Sequence, residues 1–268
     1  MVVSVSVASM GTRTSYSPGT FCWADLATSD PAAAKAFYTS LLGWEVEDMP
    51  AGEGAVYSMF RIGDAPVAAL YGQSPEQREQ GRPPAWLNYV TVVDADATAA
   101  RVAELGGAVV EAPFEVMEAG RVCVLADPQG ATLLAWQPRR HPGAGLVNEP
   151  GAMTWNDLQT SDVAAAARFY SELFGWTVAE VPESGGRYST IQGAEGANGG
   201  MMPLPAPDVP PHWQPYFAVE SLDAARAQVE ELGGTVLMGP MPVPGGAFLA
   251  IRDPQGAAFS LFAGELDP

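Results

Sequence analysis

The residues with the clearest chemical potential are a tryptophan and an aspartate two positions apart, a pair that occurs twice. Trp23 and Asp25 stand in Trp-Ala-Asp-Leu, and Trp155 and Asp157 stand in Trp-Asn-Asp-Leu, 132 residues later. Side chains two positions apart on a β-strand point to the same face of the sheet. An indole can stack on a planar ring, and a carboxylate beside it can act as a general base. We therefore take Asp25 and Asp157 as candidate catalytic residues.

The Trp-x-Asp pair belongs to a longer repeat that covers most of the chain. A Phe-Tyr-x-x-x-x-Gly-Trp segment follows at the same offset, starting at Phe37 and at Phe169. Glu-Leu-Gly-Gly and Asp-Pro-Gln-Gly-Ala segments then recur in the same order. A repeat of this length indicates a duplicated module. We expect these divisions: a disordered leader at 1–15, module 1 at 16–138, a linker at 139–150 and module 2 at 151–265.

Hydrophobic patterning predicts the same order of elements in each module. Residues 21–28 form a strand, and Asp30 with Pro31 then begins a helix that ends at Gly43. The predicted unit is strand, helix and three strands, and it occurs twice per module. Two unmatched segments rich in Gly, Pro and Gln, 72–85 and 181–200, are expected to be loops that set selectivity.

Composition limits the classes of function. The chain has 268 residues, of which 47% are hydrophobic, so it can bury a large core. A net charge of −18 argues against nucleic acid and anionic membranes as partners, because both attract basic surfaces. Membrane spans need about 18 consecutive apolar residues, and no such stretch occurs. Cys22 and Cys123 have no cysteine counterparts in the second module and indicate a reducing, cytoplasmic compartment.

These ordered motifs resemble the vicinal oxygen chelate superfamily, which contains glyoxalase I, bleomycin-resistance proteins and extradiol dioxygenases. The resemblance extends over about residues 16–265, and the linker looks like that of two-module actinobacterial members. It implies an α+β fold of two tandem glyoxalase-like modules. Each module would consist of paired βαβββ units that form a curved, mostly antiparallel sheet around a pocket.

The resemblance also implies where a divalent metal would bind, because enzymes of this superfamily usually hold one at three positions of the sheet. In module 1 those positions carry Trp23, Tyr89 and Leu134. The equivalent residues of module 2 are Trp155, Tyr216 and Ser260. Catalytic metals of this kind need imidazole nitrogen and carboxylate oxygen, which indole and leucine do not supply.

The chain has few residues that could replace the missing ligands. Its two histidines are His141 in the linker and His212 in a proline-rich segment. Both are expected to be exposed loop residues. We therefore predict that the protein binds no metal and no other cofactor.

The side chains expected to share a face with the two aspartates define the predicted pockets. The candidate ligand-binding residues are Trp23, Tyr89 and Trp136 in module 1 and Trp155, Tyr216 and Ser260 in module 2. An apolar wall with a few polar groups is the usual composition of a small-molecule site. Burial among indoles would raise the pKa of each carboxyl group and suit it to general base catalysis. The sequence leaves open whether each pocket lies within a module or is shared between modules.

Three functions are consistent with these residues. The first is a metal-free protein that binds an aromatic or hydrophobic metabolite or antibiotic. The second is a metal-free isomerase, lyase, hydroxylase or glyoxalase-like enzyme that uses Asp25 or Asp157 as general base. The third is a structural or partner-binding protein whose pockets are vestigial, in which both aspartates only accept hydrogen bonds from backbone or tyrosine. The expected partner is a small molecule, and the chain is expected to be a monomer or a homodimer.

Overall fold

The first sheet is built entirely from the first repeat. The structure is a computed structural model that describes residues 11–52 and 54–266. The elements of module 1 are β1 (Phe21–Thr28), α1 (Pro31–Leu42), β2 (Glu45–Pro50), β3 (Val56–Ile62), β4 (Ala65–Gly72), α2 (Pro75–Glu79), β5 (Ala85–Thr91), α3 (Ala95–Glu104), β6 (Ala108–Val116), β7 (Gly120–Ala126) and β8 (Thr132–Pro138). Neighbouring strands follow the order β2-β3-β4-β1-β5-β8-β7-β6.

The second sheet repeats this arrangement. Its elements are β9 (Met153–Thr160), α4 (Val163–Phe174), β10 (Thr177–Glu180), a 3-10 turn (Pro182–Ser184), β11 (Ser189–Gly193), β12 (Gly196–Pro203), β13 (His212–Ala218), α5 (Leu222–Glu231), β14 (Thr235–Val243), β15 (Gly246–Arg252) and β16 (Ala258–Gly264). The strand order is β10-β11-β12-β9-β13-β16-β15-β14. Each half of a module therefore contributes one strand–helix–three-strand unit, as the sequence predicts.

Most neighbouring strands in both sheets are antiparallel. The exceptions lie within the units, whose first and last strands pair in parallel: β1 with β4 and β5 with β8. The same parallel pairs recur in module 2, as β9 with β12 and β13 with β16. The sheets are curved. The predicted α+β fold of two tandem, paired βαβββ modules is confirmed.

The first helix begins and ends at the capping residues that the sequence predicts, Asp30 and Gly43. The carboxylate of Asp30 accepts a hydrogen bond from the backbone N–H of Ala33 at 3.1 Å, and Pro31 occupies the first turn. Gly43 ends the helix with φ of 68°, a left-handed conformation that glycine adopts without a Cβ clash. The cap therefore places the aromatic face of α1 against the core.

The two modules share one hydrophobic core, and the repeated Phe-Tyr and Asp-Pro motifs explain why. The hydroxyl of Tyr38 donates to Asp253 in the other module at 3.0 Å. Tyr170 makes the reciprocal bond to Asp127 at 3.2 Å. All four side chains are buried. The turn aspartates, to which the sequence assigns no chemistry, thus also tie the modules together.

Residues 11–15, which belong to the predicted leader, are ordered. Residues 1–10 lie outside the described residues. Thr12 pairs with Leu146 of the linker, and the backbone N–H of Arg13 donates to the carbonyl of Gly145 at 3.0 Å. The hydroxyl of Tyr16 donates to the carbonyl of Ala144 at 2.6 Å. The prediction of disorder is therefore wrong for residues 11–15, because backbone pairing with the linker orders them.

The two predicted loops contain regular structure. Segment 72–85 includes the short helix α2, which begins after Ser74 with reciprocal side-chain caps between Ser74 and Gln77. Segment 181–200 contains β11 and most of β12, so the loop prediction is wrong there. Glycine-rich strands carry few side chains, so they show no hydrophobic alternation. Their pairing with each other and with β9 supplies the order instead.

Candidate functional site

The predicted site residues of module 1 lie side by side on three adjacent strands. Trp23 of β1 is in register with Tyr89 of β5, and Tyr89 is in register with Leu134 of β8. These three side chains belong to an apolar cluster that is separate from the core beneath the helices. Their strand neighbours, such as Ala24, face that core instead. We call the side of the sheet that carries Trp23 and Tyr89 the open face of module 1.

Asp25 lies on the open face beside two tyrosines. Its Oδ2 atom accepts hydrogen bonds from the hydroxyl of Tyr89 at 2.6 Å and from that of Tyr57 at 3.1 Å. The indole of Trp23 donates to the Tyr57 hydroxyl at 3.0 Å. The other carboxyl oxygen, Oδ1, is buried and has no hydrogen-bond partner. Asp25 therefore keeps one acceptor atom unused at the floor of the site.

Burial dominates the electrostatics of Asp25, whose side chain is 1% exposed. Desolvation raises the pKa of this carboxyl group to about 7, although the hydrogen bonds from Tyr89 and Tyr57 oppose the shift. A carboxyl group with this pKa exists in both protonation states near neutrality. Asp25 can therefore accept or donate a proton at the pH of a cell.

Module 2 builds the same cluster from its own strands. Trp155 is in register with Tyr216, which is in register with Ser260. Asp157 accepts from Tyr188 on Oδ1 at 2.8 Å and from Tyr216 on Oδ2 at 2.7 Å. Each group of candidate residues is thus assembled within one module, which answers the question that the sequence leaves open.

The carboxylate of module 2 has more donors than that of module 1. Besides the two tyrosines, the indole of Trp155 donates to Oδ1 of Asp157 at 3.0 Å and to the Tyr188 hydroxyl at 2.7 Å. Burial raises the pKa of Asp157, while the bonds from Tyr216, Tyr188 and Trp155 lower it. Both oxygens of Asp157 therefore accept hydrogen bonds from protein side chains.

A row of polar side chains extends the module 2 cluster along the sheet. The amide of Gln214 donates to Ser260 at 2.7 Å and accepts from Gln159 at 3.1 Å. A ring nitrogen of His212 lies 3.4 Å from the same amide oxygen. The residues opposite Asp25 and beside Tyr89 in module 1 are Leu87 and Leu134, which are apolar. The two sites therefore differ in polarity although their aspartates match.

The histidine of the linker belongs to the module 1 site. The ring of His141 lies edge-on to Trp23 with 4.6 Å between ring centroids, and its carbonyl accepts from the indole of Trp136 at 2.9 Å. Burial lowers the pKa of His141 to about 4, and its Nε2 atom is buried without a hydrogen-bond partner. The prediction of an exposed loop residue is wrong, because the linker folds back over Trp23 and Trp136. His212 is also not in a loop, since it begins β13.

Sequence reasoning missed two members of the clusters, Tyr57 and Tyr188. Both are followed by serine, and they stand 131 residues apart, close to the offset of the other motifs. Comparison of the two repeats at this point would have found them. Tyr57 lies in β3, whereas Tyr188 directly precedes β11.

The positions at which the resemblance implies a divalent metal carry side chains that do not fit one. The indole of Trp23 donates its hydrogen to Tyr57, and Leu134 offers no donor atom. In module 2 the equivalent indole of Trp155 also donates its hydrogen. Among residues 11–52 and 54–266, no group of three or more His, Cys, Asp or Glu side chains is placed to hold a metal ion. Within the same ranges, no helix is long and apolar enough to cross a membrane.

Both modules match established family models. Residues 20–134 match the Glyoxalase/Bleomycin resistance protein/Dioxygenase superfamily, and residues 155–262 match a Glyoxalase-like domain. Together these matches cover most of the chain. The chain therefore belongs to the glyoxalase/bleomycin resistance/dioxygenase superfamily, as the resemblance of its motifs implies.

Two bacterial relatives match along nearly their whole length. The "Putative glyoxylase CFP32" of Mycobacterium tuberculosis is 42% identical over 255 residues, which is 94% of this chain and 97% of the relative. The "Anthracycline biosynthesis protein DnrV" of Streptomyces peucetius is 32% identical over 275 residues, which is 92% of this chain and 94% of the relative.

Solved structures of the same fold include metal-dependent proteins. An Mn(II)-bound glyoxalase from Novosphingobium aromaticivorans aligns with a TM-score of 0.64 at 17% identity, covering 93% of this chain and 83% of that one. The 2,3-dioxygenase LapB from Pseudomonas sp. KL28 aligns with a TM-score of 0.64 at 16% identity, covering 94% of both chains. At these identities the likeness is one of fold alone.

Proposed function

We propose that this protein binds a small aromatic or hydrophobic molecule on the open face of its sheets, without a divalent metal. The observation that carries the proposal is the replacement of the family's metal position by a Trp-Asp-Tyr cluster in both modules. In each cluster a buried carboxyl group is held by two tyrosine hydroxyls and flanked by an indole. Such a site offers stacking and directed hydrogen bonds in place of metal coordination.

The surroundings of Asp25 support an apolar ligand. Partly buried apolar side chains pack against the cluster that contains Trp23, and these include Met49, Leu87 and Val124. Edge-to-face packing of Tyr89 and Trp136, with ring centroids 6.1 Å apart, extends the aromatic wall. A flat, largely apolar molecule with few polar groups matches this lining.

The name of one relative favours a particular class of ligand. DnrV of Streptomyces peucetius is called an anthracycline biosynthesis protein, and anthracyclines are planar, fused-ring aromatic compounds. We propose planar polycyclic aromatics, including antibiotics of that kind, as the first class to test. The two buried cysteines, which form no disulfide, support a reducing and cytoplasmic compartment.

A second candidate function is metal-free acid–base catalysis at Asp25. The raised pKa of about 7 and the unpartnered Oδ1 atom favour it. In that case Asp25 would remove a proton from a carbon or oxygen of the bound molecule. The Asp25→Asn variant would then bind ligand but lose turnover, whereas a pure binding protein would show no turnover in either form.

The proposed function can be tested by titration of the full-length, chelator-treated protein with daunorubicin, followed by its fluorescence. We expect saturable binding that added Mn²⁺ does not strengthen. The Trp23→Ala variant should weaken binding, while Val93→Ala, at an exposed residue outside both clusters, serves as the matched control. Absence of saturable binding for daunorubicin and for smaller planar aromatics would contradict the proposal.

A further inference from the structure

The hydrogen bonds of Tyr57 in module 1 are longer than those of Tyr188 in module 2. In module 2, the hydroxyl of Tyr188 lies 2.7 Å from the indole nitrogen of Trp155 and 2.8 Å from Oδ1 of Asp157. In module 1, the corresponding hydroxyl of Tyr57 lies 3.0 Å from the indole of Trp23 and 3.1 Å from Asp25. Longer bonds are weaker, so Tyr57 is held less firmly than Tyr188.

Strand register explains this difference. Asp157 stands opposite Gly200 on β12, whereas Asp25 stands opposite Ala69 on β4. A methyl group added to Gly200 would overlap the Tyr188 hydroxyl and lie 2.7 Å from Oδ1 of Asp157. Glycine therefore makes the space in which Tyr188 reaches Oδ1.

Module 1 has alanine, Ala69, at the equivalent position. Tyr57 bonds to Oδ2 of Asp25 instead, which Tyr89 already occupies at 2.6 Å. The Oδ1 atom is left buried and without a partner, which is an unfavourable state for a polar atom. A ligand that rearranges this site can recover that interaction, whereas the complete set of bonds around Asp157 offers no such gain.

The position of the Tyr57 hydroxyl defines the chemical group that fits module 1. This phenol accepts a hydrogen bond from Trp23 and donates one to Asp25. Its ring is half-buried and stacks on half-buried Tyr71, with centroids 6.4 Å apart. Once the Tyr57 side chain rotates outward, a phenolic hydroxyl on a planar ligand would accept from the Trp23 indole and donate to the unpartnered Oδ1 atom of Asp25.

Two further features favour module 1 as the site. Leu87 and Leu134 provide an apolar floor where module 2 has Gln214 and Ser260. His141 contributes a second buried polar atom without a partner, Nε2, next to Trp23. Unpaired polar atoms in an apolar setting are rare in proteins and mark a place for a hydrogen-bonding ligand.

We propose that module 1 is the ligand site and that it takes hydroxylated planar aromatics, whose phenolic hydroxyl replaces that of Tyr57 between Trp23 and Asp25. The cluster around Asp157 in module 2 is a structural brace. This inference rests on the proposed function, because it assumes that the protein binds a small aromatic molecule at all.

The test compares two probes, 2-naphthol and its methyl ether 2-methoxynaphthalene, by calorimetric titration of the full-length protein. We expect a single binding site per chain and a preference for the naphthol of about 10-fold, the value of one hydrogen bond to a charged acceptor. The ether keeps the planar rings but cannot donate to Asp25.

Variants in the two modules identify the site. Tyr57→Phe removes the internal competitor and should tighten naphthol binding several-fold, while Tyr188→Phe should leave it unchanged. Asp25→Asn should abolish the preference for naphthol over the ether, and Asp157→Asn should preserve it. Thermal unfolding of each variant verifies that it is folded.

The outcomes separate the inference from the proposed function. If naphthol binds but only the Asp157 and Tyr188 variants change its affinity, or if two molecules bind per chain, the inference fails and the proposed function stands. Equal affinity for both probes in the unmodified protein also overturns the inference. If neither probe nor daunorubicin binds, the proposed function fails, and the inference fails with it.

Discussion

Asp25 and Asp157 occupy matching positions in the two modules but differ in their hydrogen bonding. Both are buried carboxyl groups on the open face of a sheet, and both accept hydrogen bonds from two tyrosines. One oxygen of Asp25 lacks a partner, whereas both oxygens of Asp157 are occupied. The Trp-x-Asp motif therefore predicts the place of these residues but not their different hydrogen bonding.

The raised pKa of Asp25 leads to a prediction about stability and pH. Its pKa rises from 3.8 in the unfolded chain to about 7 in the folded protein, mainly through desolvation. Between these values the folded protein binds more protons than the unfolded chain, so its free energy of unfolding falls as pH rises. One pKa unit corresponds to about 1.4 kcal/mol, so the loss is on the order of 4 kcal/mol.

The Asp25→Asn variant isolates this effect, because asparagine stays neutral at every pH. We expect the difference in unfolding free energy between the protein and the variant to decline from pH 4 to pH 8, measured by urea unfolding. Asp157→Asn should show a change of the same sign, because burial also raises the pKa of the Asp157 carboxyl group. A difference that rises over this range would show that Asp25 is ionised and stabilised in the folded protein.

At the scale of elements, the glycine-rich strand β12 has a specific steric role. Its residue Gly200 makes room for the Tyr188 hydroxyl beside Asp157. We expect Gly200→Ala to destabilise the protein by about 1–3 kcal/mol, since overpacking of a filled site has that cost. Unfolding by urea, followed by tryptophan fluorescence, measures the change.

A double-mutant cycle tests the cause of that cost. In a Tyr188→Ala background the added methyl group finds space, so Gly200→Ala should then cost much less. An equal cost in both backgrounds would show that the strain lies in the backbone or in the contact with Asp157. The Ala69→Gly variant of β4 offers the reciprocal change in module 1.

The sequence predicts the helices and strands correctly where apolar and polar side chains alternate. It predicts them poorly in glycine-rich segments, which have few side chains. The capping residues Asp30 and Gly43 located α1, and alternation placed Trp23 and Asp25 on one face. Strands β11 and β12 were mistaken for a loop because glycine carries no hydrophobic pattern. The folding of the linker over Trp23, which buries His141, depends on contacts between distant residues that no local pattern contains.

At the scale of the whole molecule, the two duplicated modules share one hydrophobic core. The aromatic cores of the two modules merge, and Trp44 of module 1 donates to the carbonyl of Gly151 at 2.7 Å. Trp176 of module 2 donates to the carbonyl of Gly19 at 2.6 Å. The repeat predicted two similar modules, but the sharing of one core follows only from where the Phe-Tyr helices lie.

This arrangement predicts how inter-module bonds affect unfolding. Tyr38→Phe leaves the buried Asp253 without its partner hydroxyl from the other module, which should cost about 1–3 kcal/mol. Because the core is shared, we expect the single transition of the whole chain to move to lower temperature in scanning calorimetry. Two resolved transitions in this variant would show that the modules unfold independently.

We propose that neither Trp-Asp-Tyr cluster holds a divalent metal and that the cluster of module 1 binds an organic ligand. The most direct test is native mass spectrometry of the full-length protein as purified, with metal analysis on the same sample. We predict a protein without a stoichiometric divalent metal, either free of ligand or carrying a small organic molecule. A stoichiometric divalent ion that is lost on substitution of Tyr89 or Tyr216 would contradict it.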